Sequence, residues 1–370
     1  MAFQMLDRNR LMLRPLAERT NRTDVRRKAI YPDREPGPLK DEVRRTVALT
    51  AGRIRRARDE GRPVMLAFGA HTIKNCLGPV LIHMMEQGWL THMATNGAGI
   101  IHDWEFAYLG ESSEHVARNL CAGQFGIWDE TGYYLNLAII VGAWRGMGYG
   151  QSVGAMISQE ALEIPDREVL IEEVRGAAGK VPLPESAGAA CDLLWTMDRF
   201  GLPAGRMQIP HPHKGFSVQA AAHRLGVPFT GHPMIGHDII YTHPLNHGGA
   251  VGRAALRDFL IFAHAVSDLE GGVYMSVGSA VMSPMIFEKS LSMAQNLAIQ
   301  AGAHIDNHLM VVVDLQESTW DWSRGEPPED HPDYYLRYYK TFHRMGGELH
   351  YACADNRDFL LALCRELKQG

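Results

Sequence analysis

No apolar run in the 370 residues approaches the roughly 18 that a membrane-spanning helix needs, so the pattern excludes such a helix. Cysteine is scarce: the five, Cys76, Cys121, Cys191, Cys353 and Cys364, are odd in number and scattered. That argues against a disulfide frame or a paired-cysteine zinc site and fits reduced thiols in a cytoplasmic protein. Neither sign of charge dominates, and a formal net charge of −5 gives no general attraction to nucleic acid or to an anionic membrane. Repeats and low-complexity segments are absent. So is the HExxH pattern; His211, His213, His232, His237, His243 and His247 mostly sit beside Pro or Gly in turns, and no metal is expected.

What is present is ordinary globular composition, 46% apolar and 21% charged. Residues 1–60 are rich in arginine with acids interspersed, which argues for an arm packed on the body or on a partner subunit, and against a transit peptide. An amphipathic helix is expected near Lys40 to Glu60. Residues 61–370 then read as one α/β domain.

The stretch Pro63 to Glu105 organises the rest. Val64 to Phe68 is a strand that stops at Gly69; Leu77, Val80, Leu81 and Met84 recur at helical spacing; Leu90 to Ala94 is a second strand. It ends in a loop, Thr95 to Gly99, whose small residues let backbone N–H groups approach a ligand closely. Two such loops would lie at the carboxyl ends of parallel strands, where open α/β sheets bind nucleotides. Helices are expected over Trp104 to Cys121, capped at Ser112 or Ser113, over Tyr134 to Tyr149, and as a hairpin over Glu160 to Gly179. Strands at Val227 to Thr230, Asp238 to Tyr241, Val273 to Val277, Leu309 to Leu315 and Leu349 to Cys353 are followed by further helices. That alternation predicts a doubly wound, mostly parallel sheet.

Chemistry-bearing residues gather at strand ends. Gly278 opens a strand-to-helix turn able to present N–H groups to an anion. Asp314 closes one buried strand and Asp355 follows another; a carboxylate there takes a ribose hydroxyl or caps a helix. Lys340 stands among Tyr334, Tyr335, Tyr338 and Tyr339, which leaves open a snorkelling surface residue or a desolvated Schiff-base nucleophile.

GAHTIKNCLG (Gly69 to Gly78), TNGAGIIHD (Thr95 to Asp103), IGHDIIYTH (Ile235 to His243), VDLQE (Val313 to Glu317), PDYYLRYYK (Pro332 to Lys340) and HYACAD (His350 to Asp355) stand in a telling order. In order and spacing, residues 63–367 resemble the deoxyhypusine synthases and the homospermidine synthases derived from them, whose corresponding segments are TSNLISSG, TTAGGVEED, LGDMIFFHS, NTAQE, PDEAVSWGK and VYADA. The resemblance implies an NAD-binding α/β sheet in a homo-oligomer, a tetramer in relatives, with NAD held between subunits. It places the cofactor at His71, Thr72, Asn75, Thr95, Asn96, Gly97, Gly278, Asp314 and Asp355. Lys340, Asp238 and His102 are the implied catalytic residues, and Asp103, Glu105, Glu317 and Trp322 the substrate ligands. The implied reaction is NAD-dependent aminobutyl transfer from a polyamine through an imine on Lys340. His102 replaces a polyamine-binding glutamate of the family, and Pro284 replaces a histidine, changes that point to a different amine, a different acceptor or a loss of the lysine chemistry; the expected acceptor is a small amine rather than a protein lysine. A different NAD-dependent or NAD-consuming enzyme using His102 or Asp238, and a non-catalytic nucleotide-binding protein, are the alternatives.

Overall fold

The computed structural model describes residues 3–369. Ten strands occur in chain order: β1 (Asn21–Asp24), β2 (Val64–Phe68), β3 (His92–Asn96), β4 (Glu111–Glu114), β5 (Ala161–Ile164), β6 (Gly205–Gln208), β7 (Phe229–His232), β8 (Val273–Val277), β9 (Leu309–Asp314) and β10 (Glu348–Cys353). Six of them form one sheet in the order β10-β9-β8-β2-β3-β7, with every ladder parallel. The chain starts this sheet at β2, lays β3 and β7 to one side, then returns to lay β8, β9 and β10 on the other. This is the doubly wound 3-2-1-4-5-6 order, and its direction reverses between β2 and β8.

The sheet is buried on both faces, which is why its strands read as apolar runs rather than alternating ones. Val64, Leu66 and Phe68 enter one core and Met65 and Ala67 the other. The first core takes the helix Asp41–Asp59, whose Val43, Val47, Ala51 and Ile54 are buried along one face. Acids in its first turn and arginines in its last complement the helix dipole. Behind the second core lie the helices Gly248–Ser267, Met282–Gln300 and Arg337–His343, which contribute Phe262, Phe287 and Phe342 around Tyr274. No described helix is long and apolar enough to cross a membrane.

Residues 97–228, between β3 and β7, depart most from expectation. The small residues after β3 are no loop: Asn96 caps the helix Gly97–Leu109 by accepting from the Gly99 N–H. That helix stops at Gly110 with φ +75°, so it does not continue to Cys121. Ser112 and Ser113 lie in β4, which pairs antiparallel with β1 of the arm, and the next helix, Val116–Cys121, is capped by His115. The helix placed at Tyr134 to Tyr149 runs Asp129–Trp144, and Tyr149 begins another, Tyr149–Gln159. The expected helical hairpin after Glu160 is a strand, β5, paired with β6, followed by the helix Arg167–Ala177. Asp238 to Tyr241 forms no strand; Asp238 precedes the 3-10 turn Ile239–Thr242.

The arm crosses the ends of these helices. Leu16 and Val25 are buried, the Leu16 N–H donates to Glu130 at 2.6 Å, and Arg8 donates to the Tyr241 carbonyl at 2.8 Å.

Candidate active site

At the reversal of the sheet the backbones after β2 and β8 touch. A Cβ on Gly69 would lie 2.0 Å from the Gly278 carbonyl oxygen, and a Cβ on Gly278, which holds φ +59°, would lie 2.2 Å from Asn356 Nδ2. Both positions therefore require glycine. Asn356 also donates to Thr72 Oγ1 at 3.4 Å, so the turn after β10 reaches across to the turn after β2. Thr95 is buried and donates to the Phe68 carbonyl at 2.8 Å, which ties the ends of β2 and β3 together.

Two cavities open beside this crossing, and Lys74 lines both. The larger, about 560 Å³, has Arg27, Lys28, Arg34, Lys74 and Arg357 in its wall against one carboxylate, Asp355. Asp355 caps the helix Asn356–Lys368, accepting from the Arg357 N–H at 2.8 Å. Asn75 shares this wall, and His71 is exposed on the short helix Ala70–Lys74 that precedes it. Arg34 and Lys74 hold no ion pair among the described residues. The donor set suits a polyanion.

The smaller cavity, about 230 Å³, lies beneath the arm and carries His102, Glu105 and Asp238. His102 Nδ1 is 2.6 Å from Ser112 Oγ, and Ser112 donates to Glu105 Oε2 at 2.5 Å. The serine's single proton is committed to the carboxylate, so its oxygen accepts from the His102 Nδ1–H. That leaves Nε2 as an unprotonated acceptor in the neutral ring. Glu105 Oε1 accepts from Arg19 at 2.6 Å in a buried ion pair. Burial pushes the Glu105 carboxyl up, but the Arg19 charge and its hydrogen bond outweigh it and hold the carboxyl well below its usual range. Asp238 is the opposite case. Burial pushes its carboxyl up to about 7, and its Oδ2 is buried with no hydrogen-bond donor. That oxygen lies where a side chain on Gly97 would begin, 2.0 Å from the ideal Cβ, so Gly97 makes room for Asp238. One cavity thus holds an oriented base and a carboxyl able to exchange its proton near neutrality.

Other predicted site residues are used elsewhere. Asp103 is buried and accepts from Ser217 Oγ, the Val218 and Gln219 N–H groups and the Gln219 side chain, at 2.6 to 3.2 Å. It fastens the helix Val218–Leu225 and has nothing left for a substrate. Asn96 is spent as a cap, and Asp314 accepts from the Gln316 N–H. Glu317 and Trp322 line a third cavity of about 720 Å³ beyond β10, where Glu317 is exposed and paired with Lys40 at 2.7 Å. Lys340 lines none of these three. Its ammonium lies 3.4 Å from Glu326 and 3.4 Å from the centre of the Tyr334 ring. Arg19, Lys74, Ser112 and Asn356 are the site residues that the sequence did not announce.

No family model matches the chain, and no curated protein matches it. Solved structures do. Unliganded AgrE is 13% identical, with a match that covers 90% of this chain and 34% of that one at a TM-score of 0.44. A LOR/SDH protein from Methanococcus maripaludis S2, also 13% identical, covers 92% of this chain and 74% of its own at 0.43. A protein assigned as a deoxyhypusine synthase from Entamoeba histolytica is 10% identical, and the match covers 84% of each chain at 0.32. This chain spans about a third of the length of AgrE. The architecture of the protein is a mixed α/β fold built on a parallel, doubly wound sheet.

Proposed function

We propose that the protein is an NAD-dependent enzyme that oxidises a small amine, with His102 and Asp238 as its acid–base groups. The observation that carries this reading is the placement of two cavities that share Lys74 in their walls, one basic and one acid–base, beside the β2/β8 reversal, where sheets of this order take dinucleotides. Arg34 and Arg357 would hold the pyrophosphate. The helix after β2 is only Ala70–Lys74, so side-chain cations carry the role that a long helix would share. When bound, a nicotinamide supplies the hydride acceptor for the carbon beside the amine. His102 Nε2 takes the proton that the amine loses as its C=N bond forms, and the Ser112–Glu105–Arg19 chain steadies the imidazolium. Asp238 meets the positive charge of the amine.

Aminobutyl transfer through Lys340 is a second reading. The fixed position of Lys340, over the Tyr334 ring at 3.4 Å and 3.4 Å from Glu326, favours it, because a Schiff-base nucleophile has to be held in place. Lys340 would then capture the imine and release it to an acceptor amine.

Titration with NADH, followed by fluorescence, tests the shared cofactor. Incubation with NAD⁺ and putrescine or spermidine should then produce NADH absorbance, and borohydride should trap an adduct only on the second reading. An adduct that persists in Lys340→Ala removes that residue from the reaction, and absence of NADH binding sinks both readings.

A further inference from the structure

The smaller cavity holds opposite charges that the protein keeps apart. Lys74 and Asp238 line it without an ion pair between them. Asp238 Oδ2 is a buried acceptor without a donor, and Arg19 Nη2 is a buried donor without an acceptor. The remaining acids of the wall are satisfied internally. Glu105 is held by Arg19 and Ser112, and Glu114 accepts from Asn119, the Gly126 N–H and the Trp128 indole. Buried polar atoms normally find partners, so an orphan donor and an orphan acceptor in one wall call for a ligand that carries both complements.

We propose that this cavity binds a small amino acid, with its ammonium at Asp238 and its carboxylate at Lys74 and Arg19. The proposal rests on reading this cavity as the reaction site, and it adds a carboxylate that a simple polyamine lacks. A volume of about 230 Å³ is below the roughly 300 Å³ at which pockets for drug-sized ligands begin, which suits a short carbon skeleton. His102 shares the wall, so the amine nitrogen and the base meet in one enclosure.

Calorimetric titration of the full chain, saturated with NAD⁺, tests this with L-norvaline and γ-aminobutyrate against butylamine and pentanoate, which each carry one charge only. At least one zwitterion is expected to bind about tenfold or more tighter than either single-charge probe. Lys74→Met should erase the advantage over butylamine, and Asp238→Asn the advantage over pentanoate. Lys74 is half-buried and unpaired, so its variant is expected to keep the melting temperature of the parent. A single-charge probe that matches the better zwitterion, or no zwitterion binding at all, overturns the proposal. Failure of NAD⁺ itself to bind would sink the cofactor reading instead, and the same four probes, titrated against nucleotide-free protein, then decide the zwitterion by the same criteria.

Discussion

The two flanks of the sheet treat their carboxyl groups differently. Beside β3 and β7, Glu105 and Asp238 are withdrawn from solvent under the arm; one is saturated by Arg19 and the other lacks a partner for Oδ2. Beyond β10, Glu317 pairs with Lys40 in the open, next to a platform where Trp322 stacks on Tyr339 at 5.3 Å and 9°. Exposed pairs of that kind contribute little and are screened by salt. Burial without a charged partner is what separates a carboxyl that can do acid–base work from the others: Asp238 has its proton affinity moved toward neutrality, whereas Glu105, equally buried, is held down by Arg19.

The strongest way to break this contrast is to remove the base. His102→Gln is expected to lower turnover by about 10² to 10⁴ fold, with NADH affinity unchanged, as measured by steady-state kinetics and fluorescence titration. Asp238→Asn should fall in the same range. It should also flatten an inflection near pH 7 in the turnover profile, because the carboxyl pushed up to about 7 is gone. If Trp322→Leu cost as much as either variant, the flanks would have been assigned the wrong way round.

Charge reversal in the basic cavity comes next. Arg34→Glu puts a carboxylate where a pyrophosphate is proposed and should weaken NADH binding by about tenfold or more, with the deficit shrinking as salt is raised. An unchanged dissociation constant would move the nucleotide out of that cavity.

The frame of the molecule was legible in the sequence and the detail of its first flank was not. β2, β8 and β9 are buried on both sides, so their apolar runs announced them and the alternation with helices announced the fold. β4 reads Glu-Ser-Ser-Glu and has no apolar period; it is a strand only because the arm supplies β1 as its partner. Asp238 to Tyr241 is β-branched and aromatic like a short strand but turns, which brings the carboxyl to Gly97. His102 and Asp238 emerged through a family resemblance. Arg19 and Ser112 could not, because an arginine in an arginine-rich arm and a serine between Glu111 and Ser113 acquire meaning only from contacts made in the folded chain. Asp103 shows the reverse error, an acid in the right motif whose oxygens are all taken by Ser217, Val218 and Gln219.

Acid should loosen the β3/β7 flank in particular. His92 and His232 both lie at Thr230 Oγ1, 3.1 and 2.9 Å away, and burial pushes each down to about 3. Below the ordinary histidine value near 6.5 the unfolded chain takes up protons that the folded chain refuses, so stability falls with falling pH from there toward 3. The slope is at most about 1.4 kcal/mol per pH unit for each histidine. Urea unfolding at a series of pH values checks it, and a His92→Gln, His232→Gln double variant should show a shallower slope.

The smallest effect is expected at Lys340. If amine oxidation is complete on the first flank, Lys340→Ala changes NADH formation by no more than about twofold, a surface-scale effect, because its partners are Glu326 and the Tyr334 ring and neither lines the acid–base cavity. Aminobutyl transfer demands something else: NADH would still appear in the variant, since oxidation precedes imine capture, but the hydride would not return and the aminated product would not form. Product analysis beside the absorbance trace therefore separates two outcomes that absorbance alone would merge. A loss confined to product would bring the β10 flank back into the chemistry and make the contrast between the flanks one of sequence in the reaction rather than of presence and absence.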